Sequence, residues 1–154
     1  VRPTTIIGID PGKGGGISWI GEESMRAEKM PETISDLWEL ISSIVQHTAQ
    51  IYRHTECKAY LEQVSAMRGQ GVTSCFTFGN GFGHLEMALT AAGIPFERVR
   101  PQKWQRAMEC LTGGDKNVSK RRAQELFPAI KCTHAISDSL LIAEFGRRQN
   151  QPNI

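Results

Sequence analysis

The chain lacks most features that assign a protein to a class at sight. Its four cysteines, Cys57, Cys75, Cys110 and Cys132, are scattered and form no CxxC pair, which argues against a zinc ribbon and a disulfide framework. "KCTH" sets Cys132 near His134 but offers no second ligand pair, so the spacing does not make a structural zinc site. No apolar run approaches the ~20 residues of a membrane span. The opening "VRPTTIIG" has no secretory pattern, so a cytoplasmic protein that does not engage a membrane is expected. There is no internal repeat and no long low-complexity linker. "GKGGG" does not match GxxxxGK[ST], so a nucleotide cofactor held by a P-loop is not expected. A net charge of +2 is too small to name a partner.

What is present fits one domain, residues 1–154, with enough bulk for a real core. Apolar residues make up 40% and charged residues 22%, the balance of a soluble globular protein. Three short strands open the chain, at 4–10, 15–20 and about 24–29, with connections that suit an antiparallel meander. A helix follows from Pro31, with Ile34, Leu37, Trp38, Ile41, Ile44, Val45 and Ile51 as its apolar stripe. "KAYLEQV" is a fourth strand. "GQGVTSCFTFGNGFG" reads as a glycine- and aromatic-rich segment leading into a helix over "HLEMALTAAG" that stops at Gly93. "PFERVRP" is a fifth strand, and short helices follow at "QKWQRAME" and "SKRRAQELF". The last helix covers "HAISDSLLIAEFGRR", with Gly146 as its expected terminator. This order predicts an α/β fold of one mixed sheet with helices on its faces. Strands one, four and five run parallel, so their C-terminal ends line one edge.

Three acidic residues stand out against that frame. Asp10 ends the first strand, against the glycine turn in "IIGIDPGKGGG". On the fourth strand, period two puts Tyr60, Glu62 and Val64 on one face, and Glu62 interrupts it. On the last helix His134 and Asp138 share a face, and Leu141, Ile142 and Phe145 continue it toward the core. Each carboxylate alone reads as readily as a buried ion pair or a solvated strand end. Together they form a self-repelling group, and hard divalent cations such as Mg²⁺ or Mn²⁺ relieve that repulsion. Two such ions can activate water and stabilise the leaving oxygen of a phosphodiester. Residues 98–122 hold Arg98, Arg100, Lys103, Arg106, Lys116, Lys120, Arg121 and Arg122 against Glu109 and Asp115, a pattern common to phosphate-binding faces and to solvated helices.

"GIDPG" at 8–12, "LEQV" at 61–64 and "HAISDSLLIAEFG" at 134–146, taken in order, resemble the RuvC-type Holliday junction resolvases of the RNase H-like superfamily. "MRGQGVTSCFTFGNGFG", "VRPQKWQRAM" and "SKRRAQELFP" between them are similar to the phage and prophage branch. The resemblance spans nearly the whole chain. It implies an RNase H-like fold, a five-stranded mixed sheet with helices on both faces. It implies a crossover junction endodeoxyribonuclease that cuts four-way DNA junctions as a homodimer, in a bacterial or phage-infected cell.

Carried over by position, Asp10, Glu62 and Asp138 bind two Mg²⁺ ions (or Mn²⁺). His134 stands where the family has a fourth acidic residue or a histidine, as a ligand or a proton carrier near neutral pH. Residues 65–81 become the junction-facing loop, with Arg68 on phosphate and Gln70 and Phe76 on DNA. Phe78 offers a second face for a base or serves the core. The helix at about 82–92, carrying Leu85, Met87, Ala88 and Leu89, becomes the dimer helix. Lys103, Lys116, Lys120, Arg121 and Arg122 become phosphate contacts, with Lys120 favoured because it opens a helix whose N-terminus also attracts anions.

Other readings share parts of this pattern. A sugar-kinase or actin-like ATPase also opens with a strand, an Asp and a glycine turn, but needs two such domains. An RNase H-like nuclease on flaps, branched DNA or RNA–DNA hybrids needs the same carboxylates. A non-catalytic junction binder would not need all three.

Overall fold

The computed structural model describes residues 4–22, 24–51 and 56–151. Strands β1 (Thr4–Asp10), β2 (Gly16–Ile20) and β3 (Met25–Lys29) form the meander, followed by helix α1 (Ile34–Ile51) and β4 (Glu56–Glu62). Then come α2 (Val72–Ala91), β5 (Phe96–Val99), α3 (Pro101–Ala107), α4 (Lys116–Leu126) and α5 (His134–Gln149). The sheet has five strands in the order β3-β2-β1-β4-β5. The meander pairs antiparallel, while β1–β4 and β4–β5 are parallel. This is the mixed α/β sheet expected from the sequence.

Alternation along the strands separates two cores. Ile7, Ile9, Ala59 and Leu61 face α1 and α2 with Leu37, Ile41, Ile44, Leu85 and Leu89. Ile6 and Tyr60 face α5, α3 and α4 with Trp104, Met108, Leu141 and Phe145. Helices therefore cover both faces. α1 starts on a side-chain cap: the Asp36 amide donates to Thr33 Oγ1 at 3.0 Å, and that hydroxyl donates to Asp36 Oδ2 at 2.7 Å.

Two boundaries differ from the sequence reading. α2 begins at Val72, so most of the segment read as a loop is helix, continuous through Gly79, Gly81 and Gly83. Its buried residues, Leu85, Ala88 and Leu89, all lie in its second half. The first half packs on too little to leave an apolar stripe in the sequence. Of the four residues named on the expected dimer helix, Leu85, Ala88 and Leu89 pack in the core and Met87 is exposed. α5 runs through Gly146 rather than ending there. A Cβ at 146 would overlap the Tyr60 ring, so this glycine admits the helix to the sheet instead of terminating it.

Candidate active site

The site forms where β1 and β4 end. Their parallel register sets Gly8 opposite Tyr60 and Ile9 opposite Leu61. The next step places Asp10 beside Glu62, and alternation turns both toward α5. α5 comes unusually close to the sheet there. A Cβ at Gly8 would overlap the backbone of Ser139 and Ala143, and a Cβ at Gly16 would press on the Ala135 carbonyl. Ser139 Oγ and Ser18 Oγ share a buried hydrogen bond of 2.6 Å across the same seam. This close seating carries Asp138 to the carboxylate pair. The glycine turn completes the setting. Gly12 has φ +101°, a conformation that favours glycine, and a Cβ at Gly15 would lie 3.0 Å from Asp10 Cγ.

The electrostatics record the convergence. Burial, then the charges of Glu62 and Asp138, push the Asp10 carboxyl up to about 8, against a smaller lowering by Lys116. Burial likewise lifts Glu62 to about 7; an indole hydrogen bond from Trp104 opposes this, Asp138 adds to it, and Lys116 relieves it. Asp138 Oδ1 is buried with no hydrogen-bond partner. An orphaned buried carboxylate oxygen is costly. Burial and the charge of Asp138 also push the Cys110 thiol up to about 11. Among the described residues, no three His, Cys, Asp or Glu side chains are drawn together closely enough to hold a metal ion as they stand. Glu62 accepts a hydrogen bond from the Trp104 indole, with 2.7 Å between Trp104 Nε1 and its Oε2.

The remaining sequence-predicted residues separate. His134 opens α5, one turn before Asp138, and is exposed; the charges acting on Asp10 are Glu62, Asp138 and Lys116, and those acting on Glu62 are Asp138 and Lys116, not His134. The favoured Lys120 does not start α4. That helix begins at Lys116, capped by Asp115, whose Oδ1 accepts from the Asn117 amide at 2.9 Å. Lys116, not Lys120, therefore faces the carboxylates, while Lys120 acts on the Cys132 thiol. Arg122 is already engaged: it donates to the Met108 carbonyl at 2.8 Å and pairs with Glu109 and Glu125. Arg121 is exposed, as is Lys103, whose ammonium lies 5.9 Å from the centre of the Phe145 ring.

Arg68 and Gln70 lie in the exposed turn before α2, where Gln70 Oε1 accepts from the Met67 amide at 3.3 Å. Phe76 is 76% exposed, whereas Phe78 is half-buried on the opposite side of the helix, over Gly12. Trp104 was missed as a site residue. The available signal was chemical, since a buried indole N–H needs an acceptor.

A five-stranded mixed sheet with helices on both faces is the fold of solved RuvC structures. Thermus thermophilus RuvC, in complex with a Holliday junction substrate, superimposes with a TM-score of 0.60 at 18% identity, covering 96% of each chain. A second Thermus thermophilus RuvC structure gives 0.58 at 18% identity, over 94% of this chain and 96% of that one. The yeast mitochondrial Holliday junction resolvase Ydc2 gives 0.51 at 14% identity, over 96% and 80%. No protein-family model and no curated protein sequence matches the chain. At these identities the likeness is one of fold.

Proposed function

We propose that this protein is a divalent-metal-dependent endonuclease that resolves four-way DNA junctions by paired phosphodiester hydrolysis. The observation that carries the reading is the meeting of Asp10, Glu62 and Asp138 at the strand-end edge of a RuvC-type sheet, where the charges of Glu62 and Asp138 act on Asp10 and that of Asp138 on Glu62. The donor set fits a hard cation. Asp138 Oδ1 has no partner, and Asp10 and Glu62 hold protons that a cation would displace. When bound, two Mg²⁺ ions supply the charge that activates water and stabilises the leaving oxygen.

The chain's own residues do the rest. Asp10, Glu62 and Asp138 would hold the ions. Lys116 brings positive charge to the same edge and meets the scissile phosphate. His134, exposed beside Asp138, carries a proton to or from the reacting oxygens. Arg68, Lys103, Lys120 and Arg121 hold flanking phosphates, and Phe76 offers a ring to an unstacked base. Two copies joined through the exposed side of α2 place two such sites on opposed strands.

The test is cleavage of a synthetic four-way junction with Mg²⁺ and with EDTA, in competition with flaps, RNA–DNA hybrid and plain duplex. Paired symmetric nicks confined to the junction and to Mg²⁺ are expected. Preferred cutting of hybrid or flap overturns the substrate assignment, and tight junction binding without cleavage overturns the enzymatic one.

A further inference from the structure

We infer that Trp104 is a positioning residue for Glu62: its indole N–H fixes one carboxylate oxygen so that the other is presented to the metal. The inference rests on the metal-binding reading above and adds a residue to it. Trp104 is fully buried, and it sits in the core with Val99, Met108, Cys110 and Phe145. Its ring cannot swing without disturbing that packing. Its Nε1 donates to Glu62 Oε2 at 2.7 Å. An indole has one N–H, so it occupies one oxygen and no more. Among the described residues Glu62 Oε1 makes no hydrogen bond to another side chain or to the backbone.

The need for such a donor follows from where Glu62 lies. It is the last residue of β4. Its neighbour Val99 is the last residue of β5, and α3 starts at Pro101, immediately after Arg100. That short connection carries Trp104 back over the strand end. A free glutamate at a strand end has several rotamers, and locking them in advance removes an ordering cost from ligand binding. The chemistry of the donor also matters. An Arg or Lys in this place would hold the carboxylate equally well but cancel its charge. The neutral indole holds it and leaves the full negative charge for a cation. Outer partners of this kind orient metal ligands, and their loss weakens metal binding by ~10–100-fold.

The test removes the N–H and keeps the ring. In Trp104→Phe, calorimetric titration should show Mg²⁺ binding at least about tenfold weaker than in the unaltered protein, with the circular dichroism spectrum unchanged. A second measurement needs no substitution at Trp104. In ¹H–¹⁵N spectra the assigned Trp104 indole resonance should move on adding Mg²⁺ and in Glu62→Gln, while those of Trp19 and Trp38 stay in place. Folded Trp104→Phe with unchanged Mg²⁺ affinity overturns the inference alone. Should Trp104→Phe fail to fold, an indole resonance that ignores both Mg²⁺ and Glu62→Gln overturns it. An unaltered protein that binds no Mg²⁺ removes the metal reading itself, and the inference with it.

Discussion

On one face of the sheet, α1 and α2 lie over Ile7, Ile9, Ala59 and Leu61. On the other, α5 lies over Ile6, Gly8, Asp10, Tyr60 and Glu62. The first face is filled by bulky aliphatic side chains that keep the layers apart. The second is built by omission: Gly8, Gly16 and Gly146 let a helix backbone come down onto strand and ring, and two serines bond across the gap. Bulk sets a separation that tolerates small adjustments, whereas contact through missing side chains fixes one distance. The carboxylates sit on the face where distance is fixed. The two faces thus divide labour, one supplying stability and the other geometry.

The contrast can be broken most sharply at its chemical centre. Asp138→Asn should reduce junction cleavage by on the order of a thousandfold while leaving junction binding intact, because phosphate contacts are untouched. Gel-shift and cleavage assays on the same preparation would show it, and lost binding would remove Asp138 from the catalytic set.

Next comes a matched pair across the sheet. Gly8→Ala should cost about 1–3 kcal/mol by forcing a methyl into the α5 backbone, and cleavage should fall further than stability explains. Ile41→Val on the opposite face should cost about 0.5–1.5 kcal/mol and leave the rate per folded molecule unchanged. Urea unfolding with cleavage at saturating Mg²⁺ separates the two. Equal loss of rate in both variants would erase the distinction between the faces.

The smallest effect is thermal. Asp10 and Glu62 hold their protons up to about 8 and about 7 in the fold, against roughly 4 in an unfolded chain. Between those values the folded state binds more protons, so stability declines as pH rises. It is fully present below about pH 4 and lost as pH passes through about 7 and then about 8. In EDTA, Tm should therefore fall between pH 5 and 8.5 by more than the rest of the chain accounts for, and Mg²⁺ should flatten that decline. A slope indifferent to Mg²⁺ would detach these carboxyls from metal binding.

Much of this site was legible in the sequence because it obeys short periods. Two-residue alternation put Glu62 on the face of Tyr60, helical spacing put Asp138 on the buried side of α5, and parallel strands brought Asp10 level with Glu62. The misread features follow other rules. The first half of α2 buries too little to print a stripe, and its glycines read as loop. Gly146 looks like a helix stop until Tyr60 is seen against it. Lys120 was preferred because the Asp115 cap, which starts α4 at Lys116, went unread. Trp104 meets Glu62 across 42 positions of chain, a pairing that no local pattern announces.

The parallel seam between β1 and β4 also shapes how the protein comes into being. Its partners are separated by the whole of α1, and Asp138 arrives only with the final helix. Contacts so distant along the chain close late and slowly in folding. No fragment, nascent chain or proteolytic piece that lacks either end can assemble the acidic trio. The acidic trio is thus a property of the whole fold, present only where the first strand and the last helix have met.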